Sequence, residues 1–363
     1  MKKVLIITDI DFWKGGAGHR TRVQRLSLYL SKYSSLAIAY TKFVDDTDKL
    51  LIKNLAMDFT IIFLNEKGQL SNYEMGEHLH RLVVACKFDS CIMEYIHNSF
   101  FLKFIPDSVT TFLDTNDIVS QRNKSLGEIP GMEKISSESL SAKQEIKIYD
   151  CYDFVMFICE PDFSKIKSLF PARKMVLVPH ACDIKTKQVR HSARNIGFVA
   201  SEYIANIDGI QHFINNCWPL LLKENDLELV IFGNIAKRLS NIGEVKNVII
   251  KGYMADIKNV YENIDVAINP IRYGGGIKIK SLEALSHQTP LVTTSHGARG
   301  IEQGIGSAFL VADEPVLFAT QIMKLVGNYT VREKIARRGL EFVMNHFSDE
   351  KCYEPLIRLI NQN

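Results

Sequence analysis

The chain has 363 residues, 46% hydrophobic and 23% charged, with 44 basic against 41 acidic side chains and a formal net charge of +3. That length exceeds one ordinary domain and fits two of about 150–200 residues each. The near-balance of charge excludes a global field for nucleic acid or an acidic membrane, so any anion site has to be local. The seven cysteines are odd in number and include no C-x-x-C pair. They fit neither a disulfide framework nor a zinc cluster and read as reduced cytosolic thiols.

In chain order, the apolar run Val4–Ile7 is ended by Thr8 and Asp9. It is too short for the core of a signal peptide, so Val4–Thr8 is predicted as a buried first strand. Asp9–Gly18 is a glycine-containing loop. His19–Lys32 carries Val23, Leu26 and Leu30, with Leu28 and Tyr29, close to helical spacing. Further strands are predicted at Leu36–Tyr40, Phe59–Leu64, Ser90–Tyr95, Val109–Asp114, Phe154–Cys159 and Met175–Val178. Ser120–Asp150 is polar and charge-rich, with a loop around Gly127–Gly131 and a helix after it.

Asp183–Arg194, DIKTKQVRHSAR, is polar and strand-free and reads as an interdomain linker. A second series follows: strand Asn195–Ala200, helix Gly209–Lys223, strands Glu228–Phe232 and Val248–Lys251, and helix Ile257–Asn263. Strand Val266–Asn269, a helix around Ile277–Ser286 and strand Leu291–Thr294 complete it. Pro315–Asn345 is helical and Asp349–Asn363 a separate terminal helix. No run approaches the roughly 18 apolar residues of a membrane span. Short apolar runs alternating with amphipathic stretches are the rhythm of βαβ units on a parallel sheet. The fold class is therefore α/β: two Rossmann-like domains, residues 1–185 and 195–345, facing a cleft, with 346–363 as a terminal helix. Ligands bind in clefts between domains and beyond the carboxyl ends of parallel strands.

The segment richest in chemistry is Asn269–Leu285, NPIRYGGGIKIKSLEAL. A strand ends in Asn269-Pro270, three glycines follow at Gly274, Gly275 and Gly276, and a helix begins after Ile277. Glycines admit a ligand close to the backbone. The first-turn N–H groups of a helix lack intrahelical partners and favour an anion. Arg272, Lys278 and Lys280 add positive charge, and Glu283, three residues after Lys280, shares its helix face. This layout suits a diphosphate beside a ribose whose hydroxyls donate to Glu283. The plainer alternative is a tight turn with solvated lysines.

The stretch GGGIKIKSLEALSHQTPLVTTSHGARGI resembles the nucleotide-sugar segment of family 4 GT-B glycosyltransferases, and LEAL...H..TPLVTT is similar to that family's "EA-A-G-PVV" signature. By this resemblance Glu283 is the second glutamate of a paired motif, the one holding the ribose. The first falls on Gly275, a departure that resembles a subset with G-G-x-K-x-K before the glutamate. Lys14–Gly18 looks like the N-terminal loop that closes on the donor phosphate, through Gly16 and Gly18; an ordinary strand–helix turn is the alternative. VPHACD, Val178–Asp183, is similar to the family's "VPNGVD". GFVASEYIANID, Gly197–Asp208, resembles the opening of its C-terminal domain but lacks the usual Arg and Lys, a charge that Arg272, Lys278 or Lys280 is expected to supply.

DTNDIVSQR, Asp114–Arg122, resembles the family's "D-x-H-D-x-x-S-x-R" loop, which places Asn116 and Arg122 on the acceptor side and makes Asp117 a catalytic candidate; a helix cap is the alternative for Asp117. In MEYIH, Met93–His97, a strand end aims Glu94 and His97 at the cleft, where they are candidates for acceptor binding or proton transfer or are merely structural. Asp9-Ile10-Asp11 mimics a metal-binding D-x-D but sits where a turn needs Asp. His19, Arg20, Arg22 and Arg25 are read as a solvated helix face rather than a surface for an anionic acceptor or lipid. Phe100–Ile105, FFLKFI, is read as helix packing rather than a contact for a lipid-linked acceptor.

The resemblance implies a cytoplasmic glycosyltransferase, with contact to the inner membrane face expected at most as a peripheral one. It would move a sugar from a nucleoside diphosphate sugar to a saccharide or lipid-linked acceptor with retention, in surface polysaccharide or glycoconjugate synthesis. It implies no metal, no cofactor and no nucleic-acid partner, and a terminal helix that returns to the N-terminal domain. The alternatives are a sugar-nucleotide epimerase and a non-catalytic GT-B subunit that binds nucleotide or glycan. Donor base, sugar and oligomeric state stay open.

Overall fold

Strand β1 (Lys3–Thr8) is covered on both faces: Val4 and Ile6 enter one hydrophobic cluster, Leu5 and Ile7 another. Such double burial is why the run reads as continuously apolar rather than alternating. The computed structural model describes residues 1–55, 57–137, 139–168, 175–222, 226–239 and 245–362. β2 (Ser35–Tyr40), β3 (Thr60–Phe63), β4 (Ser90–Glu94), β5 (Thr110–Asp114), β6 (Phe154–Phe157) and β7 (Met175–Leu177) join β1 in one seven-stranded sheet ordered β3-β2-β1-β4-β5-β6-β7. Every pairing is parallel, with Val4 facing both Leu36 and Ser90 in register.

β8 (Asn195–Val199), β9 (Glu228–Phe232), β10 (Val248–Gly252), β11 (Val266–Asn269), β12 (Leu291–Thr293) and β13 (Leu310–Val311) form a second parallel sheet ordered β10-β9-β8-β11-β12-β13. The predicted strands fall within a residue or two of these bounds, and only the two-residue β13 is unanticipated. Asp183–Arg194 carries no helix or strand. It is nonetheless pinned: Lys187 Nζ donates to the carbonyls of Tyr261 and Ile264, and the buried Arg332 guanidinium donates to those of Arg190 and His191.

The helices depart more from expectation. Pro315–Gly327 and Tyr329–His346 are two helices, divided at Asn328, whose side chain caps the second by accepting from Val331 N. The helix expected at Gly209 starts at Ile204, runs to Asn216 and restarts as Trp218–Leu221. Its expected end, Lys223, and the terminal Asn363 lie outside the described residues. Asp46–Lys53 and Asn72–Cys86 are helices that the sequence reading left unassigned.

The terminal helix Asp349–Gln362 crosses back to the N-terminal domain. Tyr353 packs 5.3 Å from the Tyr29 ring, and Arg25 binds both Asp183 and Asp349, at 2.6 and 2.9 Å. Arg22 is fully buried in an ion pair with Asp114 at 2.7 Å, and Arg20 pairs with Asp11. The three arginines of this basic start are therefore spent on internal ion pairs rather than solvated, whereas His19 is exposed at the cavity. Phe101 and Phe104 are buried in the 3-10 run Ile96–Phe104, consistent with packing, while Lys103 lies 4.0 Å over the half-exposed Phe100 ring.

Candidate functional site

In both sheets the strand order reverses beside the first strand, between β1 and β4 and between β8 and β11. Crevices form at such switch points beyond the strand ends. The segments leaving these strands meet around a cavity of about 800 Å³ between the domains. Gly15–His19, Tyr95, Asn116, Asp117 and Arg122 line it from one side, and Ala200, Ser201, Asn206, Tyr253 and Gly274–Lys280 with Glu283 from the other.

The C-terminal wall is built on β11. Asn269 Nδ2 donates to Ser281 Oγ at 2.7 Å and ties the strand end to helix Ile279–Ser286. Gly274 and Gly276 have φ of 112° and 61°, which lets the chain fold back between strand and helix. Lys278 Nζ donates to the carbonyls of Gly275 and Gly276, at 2.7 and 3.2 Å, and Lys280 Nζ to Asn206 Oδ1. Among the described residues neither lysine has a carboxylate within ion-pair distance. Burial pulls Lys278 down to about 8; burial, with Lys278 adding repulsion, pulls Lys280 down to about 7. Burial pushes the Glu283 carboxyl up to about 7 against the pull of Lys280. Gly274 N donates to Ser125 Oγ across the cleft at 3.1 Å, whereas the described residues offer no partner to the amides of Gly275 to Lys280. The arrangement is a pocket of donors in which two lysines have no carboxylate in direct ion-pair contact among the described residues.

On the N-terminal wall the glycine loop lies against the other domain. A Cβ on Gly16 would sit 2.8 Å from the Tyr253 ring, and one on Gly18 2.8 Å from Ile279 Cδ1. Arg122 Nη1 donates to both carboxylate oxygens of Asp117, at 2.9 and 3.2 Å. The helix that Asp117 was an alternative candidate to cap has Ile118 at its cap position and receives its carboxylate from Glu145, which accepts from Val119 N and Ser120 N. Asn116, at φ 58°, donates from Nδ2 to Glu94 Oε2 at 3.2 Å. Outside the cavity, Arg299 pairs with Asp162 across the domains.

The structure thus gathers Gly16, Gly18, Asn116, Asp117, Arg122, Gly274, Gly275, Gly276, Ile277, Lys278, Lys280 and Glu283 around one cavity. Three candidates stand apart and correct the sequence reading. Arg272 points to Asp208, bound at 2.7 and 3.1 Å, so its charge is used within the domain. Glu94 is fully buried beneath the cleft floor beside Asp114 and Arg22, where burial and then the Asp114 charge push its carboxyl well above the usual range. His97 is exposed and stacks on Tyr95, its Nε2 against Asp9 Oδ1 at 3.0 Å. Asp9 also binds Lys42; burial pushes its carboxyl up, but the His97 and Lys42 hydrogen bonds outweigh that and hold it far below the carboxylate range. With Asp11 on Arg20, the D-x-D look-alike is spent on internal ion pairs. Asn206, Tyr253 and Ser125 were not singled out: Asn206 lies within a segment flagged by resemblance, and the other two carry no motif.

Residues 193–328 match the family model described as Glycosyl transferases group 1. Over 235 residues the chain is 26% identical to an "Uncharacterized 44.6 kDa protein in cps region" of Klebsiella pneumoniae, covering 61% of this chain and 60% of that one. Over 189 residues it is 25% identical to the "Capsular polysaccharide biosynthesis glycosyltransferase CapM" of Staphylococcus aureus, covering 49% of each. The matched stretches thus span between half and three-fifths of the length of these relatives. Among solved structures, an S. aureus TarM mutant in complex with fondaparinux, alpha-GlcNAc-glycerol and UDP superposes with a TM-score of 0.74 at 12% identity, covering 99% of this chain and 100% of that one.

Proposed function

We propose that this chain, which has the GT-B fold and whose residues 193–328 match the group 1 glycosyl transferases, moves a glycosyl group from a nucleoside diphosphate sugar to a saccharide or lipid-linked acceptor in cell-surface polysaccharide synthesis. One observation carries the reading: among the described residues, the buried Lys278 and half-buried Lys280, neither in an ion pair, converge on the interdomain cavity with a run of unpartnered amides. Burying cations without partners is costly, and an anionic ligand removes that cost. UDP in the TarM complex and the capsular role of CapM point the same way.

In this reading the diphosphate lies at the N-terminus of helix Ile279–Ser286, where amides and Lys280 stabilise the charge that grows on the leaving group. They take the part that a divalent ion plays in other transferases, so the reaction is expected to need no metal and no cofactor. Glu283 accepts from the ribose hydroxyls. Configuration at the anomeric carbon is expected to be retained, as the family resemblance implies. The acceptor enters along Asn116 and Arg122. The charges on that wall are paired within the protein, which fits a sugar hydroxyl better than an anionic group. The seam glycines let the two walls touch, and closure excludes water that would hydrolyse the donor. The reaction belongs on the cytoplasmic side, where nucleotide sugars are made, with at most peripheral contact to the membrane face.

The test is incubation with a panel of nucleotide sugars and lipid-extracted or oligosaccharide acceptors, with and without chelator. Transfer unaffected by chelator is expected. Nucleotide binding without transfer or hydrolysis would move the chain to a binding subunit, and reversible isomerisation of the donor to an epimerase.

A further inference from the structure

Within the glycine triplet, Gly274 and Gly276 answer to the backbone, with φ in the region where a side chain is strained, but Gly275 does not. Its missing side chain answers to the opposite domain. A Cβ at Gly275 would lie 2.9 Å from Arg122 Cβ, 3.1 Å from Asp117 Oδ2 and 3.2 Å from Asp117 Cβ. The volume that a side chain at 275 would take from the C-terminal wall is filled from the N-terminal wall by the Asp117 carboxylate and the Arg122 Cβ.

We propose that Asp117 supplies, from across the cleft, the carboxylate that holds the hydroxyls of the donor's sugar, with Arg122 as its positioning residue. The sugar subsite is then complete only when the domains are closed. This rests on the nucleotide-sugar reading of the cavity and extends it from the diphosphate to the sugar. Asp117 lines the cavity together with Gly274–Lys280. A carboxylate has about four acceptor positions. Among the described residues its side chain is bonded by Arg122 Nη1 alone, which uses two. The remaining lone pairs are available to hydroxyl donors. Arg122 is itself fixed, donating from Nε to Asn123 Oδ1 at 3.0 Å. Burial raises the Asp117 carboxyl and the Arg122 charge opposes the rise.

The experiment is calorimetric titration of the full chain with UDP, GDP, ADP and TDP, and with the glucose and N-acetylglucosamine conjugates of each. In the pair where the wild type gains affinity from the sugar, Asp117→Asn should keep bare-diphosphate affinity within about twofold and lose about tenfold or more for the conjugate. Retained diphosphate binding also shows that the variant is folded. In Asp117→Gly the same loss is expected. An Asp117→Asn variant with the wild-type ratio, or one that loses diphosphate and conjugate alike, would overturn the proposal. A wild type that binds a diphosphate but gains nothing from any sugar would overturn it while leaving the diphosphate site standing. A wild type that binds no nucleotide removes both.

Discussion

The two walls of the cleft spend their charges differently. On the N-terminal side the described arginines and lysine near the cavity each have a carboxylate: Arg122 has Asp117, Arg20 has Asp11, Arg22 has Asp114, and Lys42 has Asp9. On the C-terminal side Lys278 and Lys280 have only carbonyl and amide oxygens, among the described residues. The same residue types therefore do opposite work. Paired charges fix the shape of the N-terminal wall, while lysines without an ion-pair partner leave the C-terminal wall able to take an anion. Arg272 shows that the distinction follows the partner rather than the sequence position, because it belongs to the glycine segment and is nevertheless consumed by Asp208.

The contrast can be broken most severely on the paired side. Arg22→Ala leaves Asp114 buried without its partner, beside Glu94, and should cost about 3–5 kcal/mol of stability, read by denaturant unfolding. A loss below about 1 kcal/mol would mean that the pair shapes nothing. On the unpaired side, Lys280→Ala should leave the melting temperature close to wild type and lower turnover by about 100- to 1,000-fold. Unchanged transfer kinetics would remove Lys280 from the diphosphate site.

These contrasts were only partly legible in the sequence. The strands declared themselves because a strand buried on both faces, such as β1, is an unbroken apolar run, and the glycine triplet marked the C-terminal wall because a strand–loop–helix turn needs it. The helix Asn72–Cys86 had a readable signal, the Ser71 and Glu74 capping box, that went unused. The destination of each charge was not legible. Arg22 and Asp114 are 92 positions apart, and a sequence does not state which of several arginines will meet which carboxylate. Glu94 ends its strand, but the depth at which Asn116 folds over it belongs to the tertiary structure. Tyr253 opposes Gly16 only because the two domains close.

Smaller effects sharpen the picture. Glu283→Ala should weaken donor binding by about 1.5–3 kcal/mol, as loss of hydrogen bonds to a charged group does, with less effect on turnover at saturation; unchanged donor affinity would remove the ribose assignment. Because burial, with repulsion from Lys278, brings Lys280 to about 7, a bound diphosphate should draw it back toward its ordinary, charged state. Binding then takes up a proton between about pH 7 and 10. Affinity should accordingly fall as pH rises through that window, by up to about tenfold per unit, and the uptake is measurable from the buffer dependence of the binding enthalpy. Arg272→Ala, smallest of all, should change donor affinity by less than about twofold, since its charge already belongs to Asp208.

The claim on which the account turns is that the C-terminal wall binds the phosphates. Titrating the wild-type chain with UDP, GDP, ADP and TDP beside uridine, guanosine, adenosine and thymidine measures this directly. The account predicts that, for the preferred base, the two phosphates raise affinity by about 100-fold or more, on the scale of two charge-assisted contacts. Equal affinity for the diphosphate and its bare nucleoside, or binding of neither, would contradict it.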